Sequence, residues 1–194
     1  MRHRKRGRTL GRSPSHRKAM LRNLASALFL TERDAELDDN APVVKGRVIT
    51  TLHKAKEVRP LVEKCIRIAC GSVAASEAAK PFGTAAKRGT AEWRAWRSSD
   101  QWRQWCAARA PAVTASRRLV RLLGDKKAVR VLCSTVAPRF VDRPGGYTRI
   151  LKLAKPRLGD AGARAILEFV GSNDRIPHRS PRPTFDSDAA PLVS

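Results

Sequence analysis

Apolar and polar positions along the chain alternate between two periods, and their succession predicts an α+β protein. Met20, Leu24, Ala27 and Leu28 recur at helical spacing behind Ser13-Pro14, a residue pair suited to the N-cap and first position of a helix. Val43 to Leu52 (VVKGRVITTL) is β-rich, with Gly46 as the expected bend. Val58, Leu61, Val62, Cys65, Ile66 and Ala69 predict a helix over 53–70, with Thr51 as its cap, Pro60 as a cost or kink, and Gly71 as its stop. Leu119, Leu122 and Leu123 mark a short helix over 112–123. Val129, Leu132, Cys133 and Val136 mark another over 126–136 that ends at Pro138. Gly124 is expected to close the first and Asp125 to cap the second. Tyr147 to Leu153 alternates with Tyr147, Arg149 and Leu151 on one side and Thr148, Ile150 and Lys152 on the other. Beyond a turn at Gly159-Asp160, Ile166, Leu167, Phe169 and Val170 predict a buried strand pairing antiparallel with it.

Three stretches break the pattern. Thr31 to Gly46 reads as an exposed, mobile loop carrying Glu32, Asp34, Glu36, Asp38 and Asp39. The alternating acids resemble a calcium loop faintly. However, Asp39 stands where the turn glycine belongs and Lys45 where the closing Glu does, so calcium is rejected. Ser72 to Pro111 reads as an insertion with a patternless first half and a Trp-rich second half. Gly171 to Ser194 is Pro-rich and aperiodic and is expected to be a disordered or surface-tracking tail.

Charge changes the picture most. The 194 residues hold 40 Lys and Arg against 17 Asp and Glu, a formal charge of +23. Self-repulsion of that size calls for a polyanionic partner, nucleic acid before membrane. No apolar run is long enough to span a bilayer, and no apolar segment follows the basic N-terminus as in a secretory signal. Cys65, Cys70, Cys106 and Cys133 form no CxxC pair, as expected of a reducing compartment, and Cys65 and Cys133 read as core. No paired carboxylates, activated nucleophile or ligand set suggests an enzyme, a metal, another cofactor or a small-molecule substrate.

The candidate RNA-binding residues fall in groups. Arg2, His3, Arg4, Lys5, Arg6, Arg8 and Arg12 form an arm with no acid before Glu32, too charged to collapse and set to order on phosphates. His16, Arg17 and Arg22 continue it on the first helix. His53, Lys54 and Lys56 sit at the start of the second. Arg139, Arg143, Gly145, Gly146, Tyr147, Arg149 and Lys152 make a second basic patch, where the glycines would let backbone N–H groups approach a phosphate. Tyr147 could stack on a base, although a contact with the sheet is favoured. Trp93 and Trp96, like Trp102 and Trp105, are three apart with an Arg between, so each pair shares a helix face. They are candidates for stacking on bases, with burial against protein the favoured alternative.

MRHRKRGRTLGRSPSHRKAMLRNLASAL, ITTLHKAKEVRPLVEK and APRFVDRPGGYTRILKL, in that order, resemble the L-seventeen family of bacterial large-subunit ribosomal proteins. The resemblance implies a small helical core on a short sheet, with no catalytic activity. It implies binding to large-subunit rRNA near the peptide exit region, beside neighbouring large-subunit proteins, in a cytoplasmic bacterial ribosome. The chain departs from the family pattern at 31–45, at 72–111 and in the length of its tail. The expected organisation is therefore an arm over 1–12, one domain over 13–171 with those two insertions, and a tail over 172–194. The basic arm alone would also suit an architectural DNA-binding protein of the nucleoid, the alternative reading.

Overall fold

A computed structural model describes residues 7–34, 40 and 42–171; Arg2 to Arg6 of the arm, the loop acids Glu36, Asp38 and Asp39, and the C-terminal tail lie outside the described residues. The fold is α+β: helices cover one face of a three-stranded antiparallel sheet. Helix α1 spans Pro14–Leu30, β1 Arg47–Thr51, α2 Leu52–Ala79, α3 Ala91–Ser98, α4 Asp100–Leu123, α5 Lys126–Val131, β2 Thr148–Lys152 and β3 Arg164–Phe169. The last strand is central, in the order β1-β3-β2.

Pairing of Val48 with Leu167 and of Ile150 with Leu167 fixes the register. A strand alternates its side chains between faces. Val48, Leu167, Phe169 and Ile150 therefore point to the helices, while Arg47, Glu168 and Arg149 lie in one row on the outer face. The core joins Leu28 and Phe29 of α1, Val58, Val62, Cys65 and Ile66 of α2, Leu119 of α4, and Leu167 and Phe169 of β3. The Phe29 and Phe169 rings stack at 5.9 Å. Ala27, expected on the apolar face of α1, is exposed; Ala25, Ser26, Leu28 and Phe29 are the buried positions.

Helix α2 runs past both expected interruptions. Pro60 is its ninth residue, on the exposed side, where water can satisfy the carbonyl left without a donor. Gly71 does not stop it. The next two turns bury Ser72 and Ala79 beside α4, and that packing outweighs the roughly 1 kcal/mol a helical glycine costs. Small Ala and Ser side chains carry this contact, so 72–79 lacked a visible apolar period.

The stretch 72–111 is thus mostly helical. It comprises the end of α2, a 3-10 turn over Lys80–Phe82, α3, and the first half of α4. Helix α4 starts at Asp100 rather than Ala112 and passes through Pro111. Gly124 closes it at φ +79°, and the Asp125 carboxylate accepts from the Lys127 and Ala128 N–H groups, as expected. After α5 the chain stays helical as a wider π turn over Leu132–Val136 and a 3-10 turn over Ala137–Phe140, so Pro138 tightens the helix rather than ending it. Cys65 is fully buried and Cys133 only half-buried. Ser13 and Thr51 occupy N-cap positions without a capping side-chain bond.

The ends of the acidic loop are pinned rather than mobile. The Thr31 hydroxyl donates to the Leu28 carbonyl at 2.6 Å and accepts from the Gly46 N–H at 3.0 Å. Glu32 is nearly buried and pairs with Arg139 at 2.8 Å.

Candidate nucleic-acid interface

The first basic cluster forms where three segments meet at one end of the sheet. Strand β1 ends at Thr51 and passes directly into α2, whose N-terminal N–H groups carry the positive end of the helix dipole. The first turn of α2 contains no acid and brings His53 and Lys54. The described end of the arm, from Gly7 to Arg12, lies across it. Arg8 pairs with Glu57 at 3.6 Å, and a turn at Thr9–Arg12, with Leu10 and Gly11 both at positive φ, brings Arg12 in beside α2. The β2–β3 connection supplies Arg157. Together Arg12, His53, Lys54 and Arg157 line a cleft of about 390 Å³ that also touches Asp160.

Arg12 Nη1 donates to the Leu10 carbonyl at 2.9 Å, while its Nε is shielded and has no hydrogen-bond partner among the described residues. Arg157 is held by Asp160 through a two-bond ion pair. That hydrogen-bonded guanidinium, helped by the Gly162 N–H, keeps the Asp160 carboxyl well below the usual carboxylate range. A helix N-terminus with a cation rim receives phosphate without further apparatus.

The second cluster lies at the other end of the strands. Lys152 pairs in register with Ala165, beside the α2 start, whereas Thr148 pairs with Phe169 at the far end. At about 3.3 Å per residue, the loop with Arg143, Gly145 and Gly146 therefore stands some 15 Å or more from the first cleft. The candidate residues accordingly divide into two groups, not one patch. Arg143 and Lys152 are exposed, and Arg143 Nε donates to the Gly145 carbonyl at 3.1 Å. Gly146 has φ +67°, a turn that a side chain would strain.

Several candidates have structural duties. Tyr147 is buried, its ring 5.3 Å from that of Phe140 in the 3-10 turn, so the ring is not offered to a base. Arg149 bonds Glu168 at 2.5 Å, and Arg139 pairs with Glu32 while lying over the Phe169 ring. Arg22 donates to the Arg121 carbonyl at the end of α4. His16, His53 and Lys56 are exposed; Arg17 and Lys54 are half-buried. Trp96, Trp102 and Trp105 pack on one another with centroids 4.9–5.7 Å apart, so none of these three splays out as a base platform.

Sequence reasoning missed the carboxylates that set this geometry. Glu63 of α2 accepts from the Tyr147 N–H, the Thr148 N–H and the Thr148 hydroxyl at 3.1, 2.9 and 2.6 Å, fixing the start of β2. Glu168 lies buried on the outer sheet face, opposite Arg47 and Arg149. Its place in a strand between apolar neighbours was the available signal. Among the described residues no group of His, Cys, Asp and Glu is placed to hold a metal, and no helix is long and apolar enough to cross a membrane.

The sequence model described as ribosomal protein L17 matches residues 20–170. The chain belongs to the ribosomal protein L17 family. Among its relatives, the large ribosomal subunit protein bL17 of Rhodopirellula baltica is 65% identical over 189 residues, 97% of this chain and 90% of the relative. The bL17 proteins of Desulfovibrio desulfuricans and Rhodopseudomonas palustris are 34% and 33% identical, over 94% and 98% of this chain and 76% and 100% of theirs. The L17 family is a structural, non-enzymatic ribosome component, and the curated relatives named here are bacterial.

Proposed function

We propose that this protein is a structural constituent of the large ribosomal subunit and binds large-subunit rRNA through its arm and the basic end of its sheet. What carries the reading is the convergence of the arm, the α2 N-terminus and the β2–β3 connection on one cleft, where Arg12, His53, Lys54 and Arg157 meet. Contact is mainly with phosphates: each Lys or Arg that meets one releases counterions, and six to ten such contacts lose roughly a thousandfold or more in affinity between about 50 and 200 mM salt. The exposed Arg143 and Lys152 extend the footprint along the sheet edge. Proximity to the peptide exit region follows from the family resemblance, as do neighbouring large-subunit proteins as partners. The domain division into an arm over 1–12, a body over 13–171 and a tail over 172–194 belongs to the same reading.

The experiment is incorporation into large subunits, followed by sucrose-gradient sedimentation in high salt. Deleting Met1 to Gly11, or changing Arg12 and Lys54 together to Glu, is expected to cut incorporation while the circular dichroism spectrum stays that of the full chain. Equal incorporation of all three chains overturns the reading. Tight binding to duplex DNA with no ribosome association returns the nucleoid alternative.

A further inference from the structure

The α3–α4 hairpin carries charge that the body of the protein leaves unused. Between Gly83 and Ala110 there are six cations, Lys87, Arg88, Arg94, Arg97, Arg103 and Arg109, against two carboxylates. Both acids serve helix starts: Glu92 lies in the first turn of α3, and Asp100 lies in the first turn of α4, where it also pairs with Arg103 at 3.3 Å. Among the described residues, no carboxylate is within ion-pair distance of Arg94, Arg97 or Arg109.

The hairpin is nonetheless well built. Thr90 caps α3 by accepting from the Trp93 N–H. Trp96 Nε1 donates to the Phe82 carbonyl at 3.0 Å, and Trp96 sits edge-on to the stacked rings of Trp102 and Trp105. On this aromatic base the Arg97 guanidinium lies 5.1 Å from the Trp93 centroid and 5.5 Å from that of Trp102, and Arg109 lies 4.9 Å from Trp105. Stacking uses the face of a guanidinium and leaves the N–H donors in its plane free. Two exposed arginines are therefore held in place without being neutralised. That is the arrangement a phosphate oxygen meets at least entropic cost.

We infer that the α3–α4 hairpin is a second RNA-backbone contact, in which Arg97 and Arg109, set on tryptophan faces, grip phosphates of an rRNA element separate from the one met by the arm. The inference rests on the rRNA-binding reading above and adds a site to it. The tryptophans act as a mount, not as a base reader, so the contact is tolerant of sequence. A protein neighbour fits less well, since the hairpin offers uncompensated charge and few free apolar side chains.

The test uses the full chain and a large-subunit rRNA transcript, with ultraviolet crosslinks mapped and affinity followed against salt. Crosslinks are expected from both the arm and the hairpin. Changing Arg97 and Arg109 together to Glu is expected to remove the hairpin crosslinks, keep those of the arm, and lower the salt slope by about 1.5, the equivalent of two phosphates. Changing both to Lys keeps the charge without the stacked plane and is expected to weaken binding less. Tryptophan fluorescence like that of the parent shows that each variant keeps its cluster. Arm crosslinks without hairpin crosslinks, or reconstituted subunits in which the hairpin crosslinks only to protein, overturn the inference and leave the arm reading intact. Absence of both kinds removes the arm reading as well.

Discussion

The body of the protein holds its arginines mainly with carboxylates, whereas the α3–α4 hairpin, apart from the Asp100–Arg103 pair, holds them on aromatic faces. In the body, carboxylates do it: Glu57 takes Arg8, Glu32 takes Arg139, Glu168 takes Arg149 and Asp160 takes Arg157. Each pair fixes a position but cancels part of the field that would attract RNA. In the hairpin, aromatic faces hold Arg97 and Arg109 and cancel nothing. The cores differ in the same way. That of the body is assembled from helices and strands distant in sequence and contains Leu28, Phe29, Val62 and Phe169 at 0% exposure. That of the hairpin is local, and α3 buries no residue fully. A region that can spend acids on its own order is less dependent on its partner than one that cannot.

The largest contrast should come from one ring removed on each side. Phe29→Ala opens a cavity beneath α1 and takes away the stack on Phe169. A loss of about 3–5 kcal/mol of global stability is expected, read from the urea midpoint. Trp102→Ala removes two ring contacts and one Arg97 support within a half-exposed cluster. It should free the amides of α3 to hydrogen exchange while those of β3 stay protected. Equal shifts of the midpoint by both variants would mean that body and hairpin unfold as one unit.

Next in size is Glu63→Ala. The Tyr147 and Thr148 N–H groups would lose a charged acceptor, and a cost of about 2–3 kcal/mol is expected by thermal melting. Glu63→Gln, which keeps one acceptor oxygen, should cost less. If neither variant moves the transition, the start of β2 is held by something other than α2.

How far the sequence revealed this division depends on what kind of pattern each part carries. Periodic Leu, Val and Ile exposed the body, and Gly124-Asp125 marked a helix junction correctly, because local caps need no distant partner. The length of α2 was hidden, because Ser72 and Ala79 pack by being small and leave no apolar signal. The arm and the α2 start were visible as charge. Their meeting with Arg157 was not, since strand register brings residue 157 back to residues 12 and 54. The tryptophan pairs were seen to share faces, but their mutual packing depends on the chain reversal at Ser99, where α3 ends and α4 begins.

Cysteine chemistry sharpens the comparison by a smaller margin. Burial pushes the Cys65 thiol up to about 12. An unfolded thiol ionises near about 8.5, so the native state retains a proton that the unfolded state releases. The contribution is whole below the unfolded value and is lost as pH rises through the window up to the folded one, at about 1.4 kcal/mol per pH unit. A Cys65→Ala variant should show a flatter decline in urea midpoint from pH 8 to 10 than the parent. In the native protein a thiol reagent should label half-buried Cys106 of the hairpin and spare Cys65 until unfolding. Equal labelling rates would place Cys65 in a region that opens readily.

The smallest effect tests whether a carboxylate really mutes an arginine at the cleft lined by Arg12, Lys54 and Arg157. Hydrogen bonds from Arg157 and from the Gly162 N–H hold the Asp160 carboxyl below the ordinary range. The folded value being the lower one, the stabilisation is present above the unfolded value of about 3.9 and disappears as pH falls through the folded value. Carbon-detected titration of the Asp160 side chain should show a midpoint below the ordinary carboxylate range, and Arg157→Ala should move it upward. Asp160→Asn leaves Arg157 charged and replaces its carboxylate partner with a neutral acceptor. If ion pairing mutes the cleft, this variant should bind the rRNA transcript slightly more tightly and with a steeper salt dependence than the parent. Weaker binding instead would mean that Asp160 orients Arg157 for the phosphate, and that in the body a held arginine counts for more than a free one.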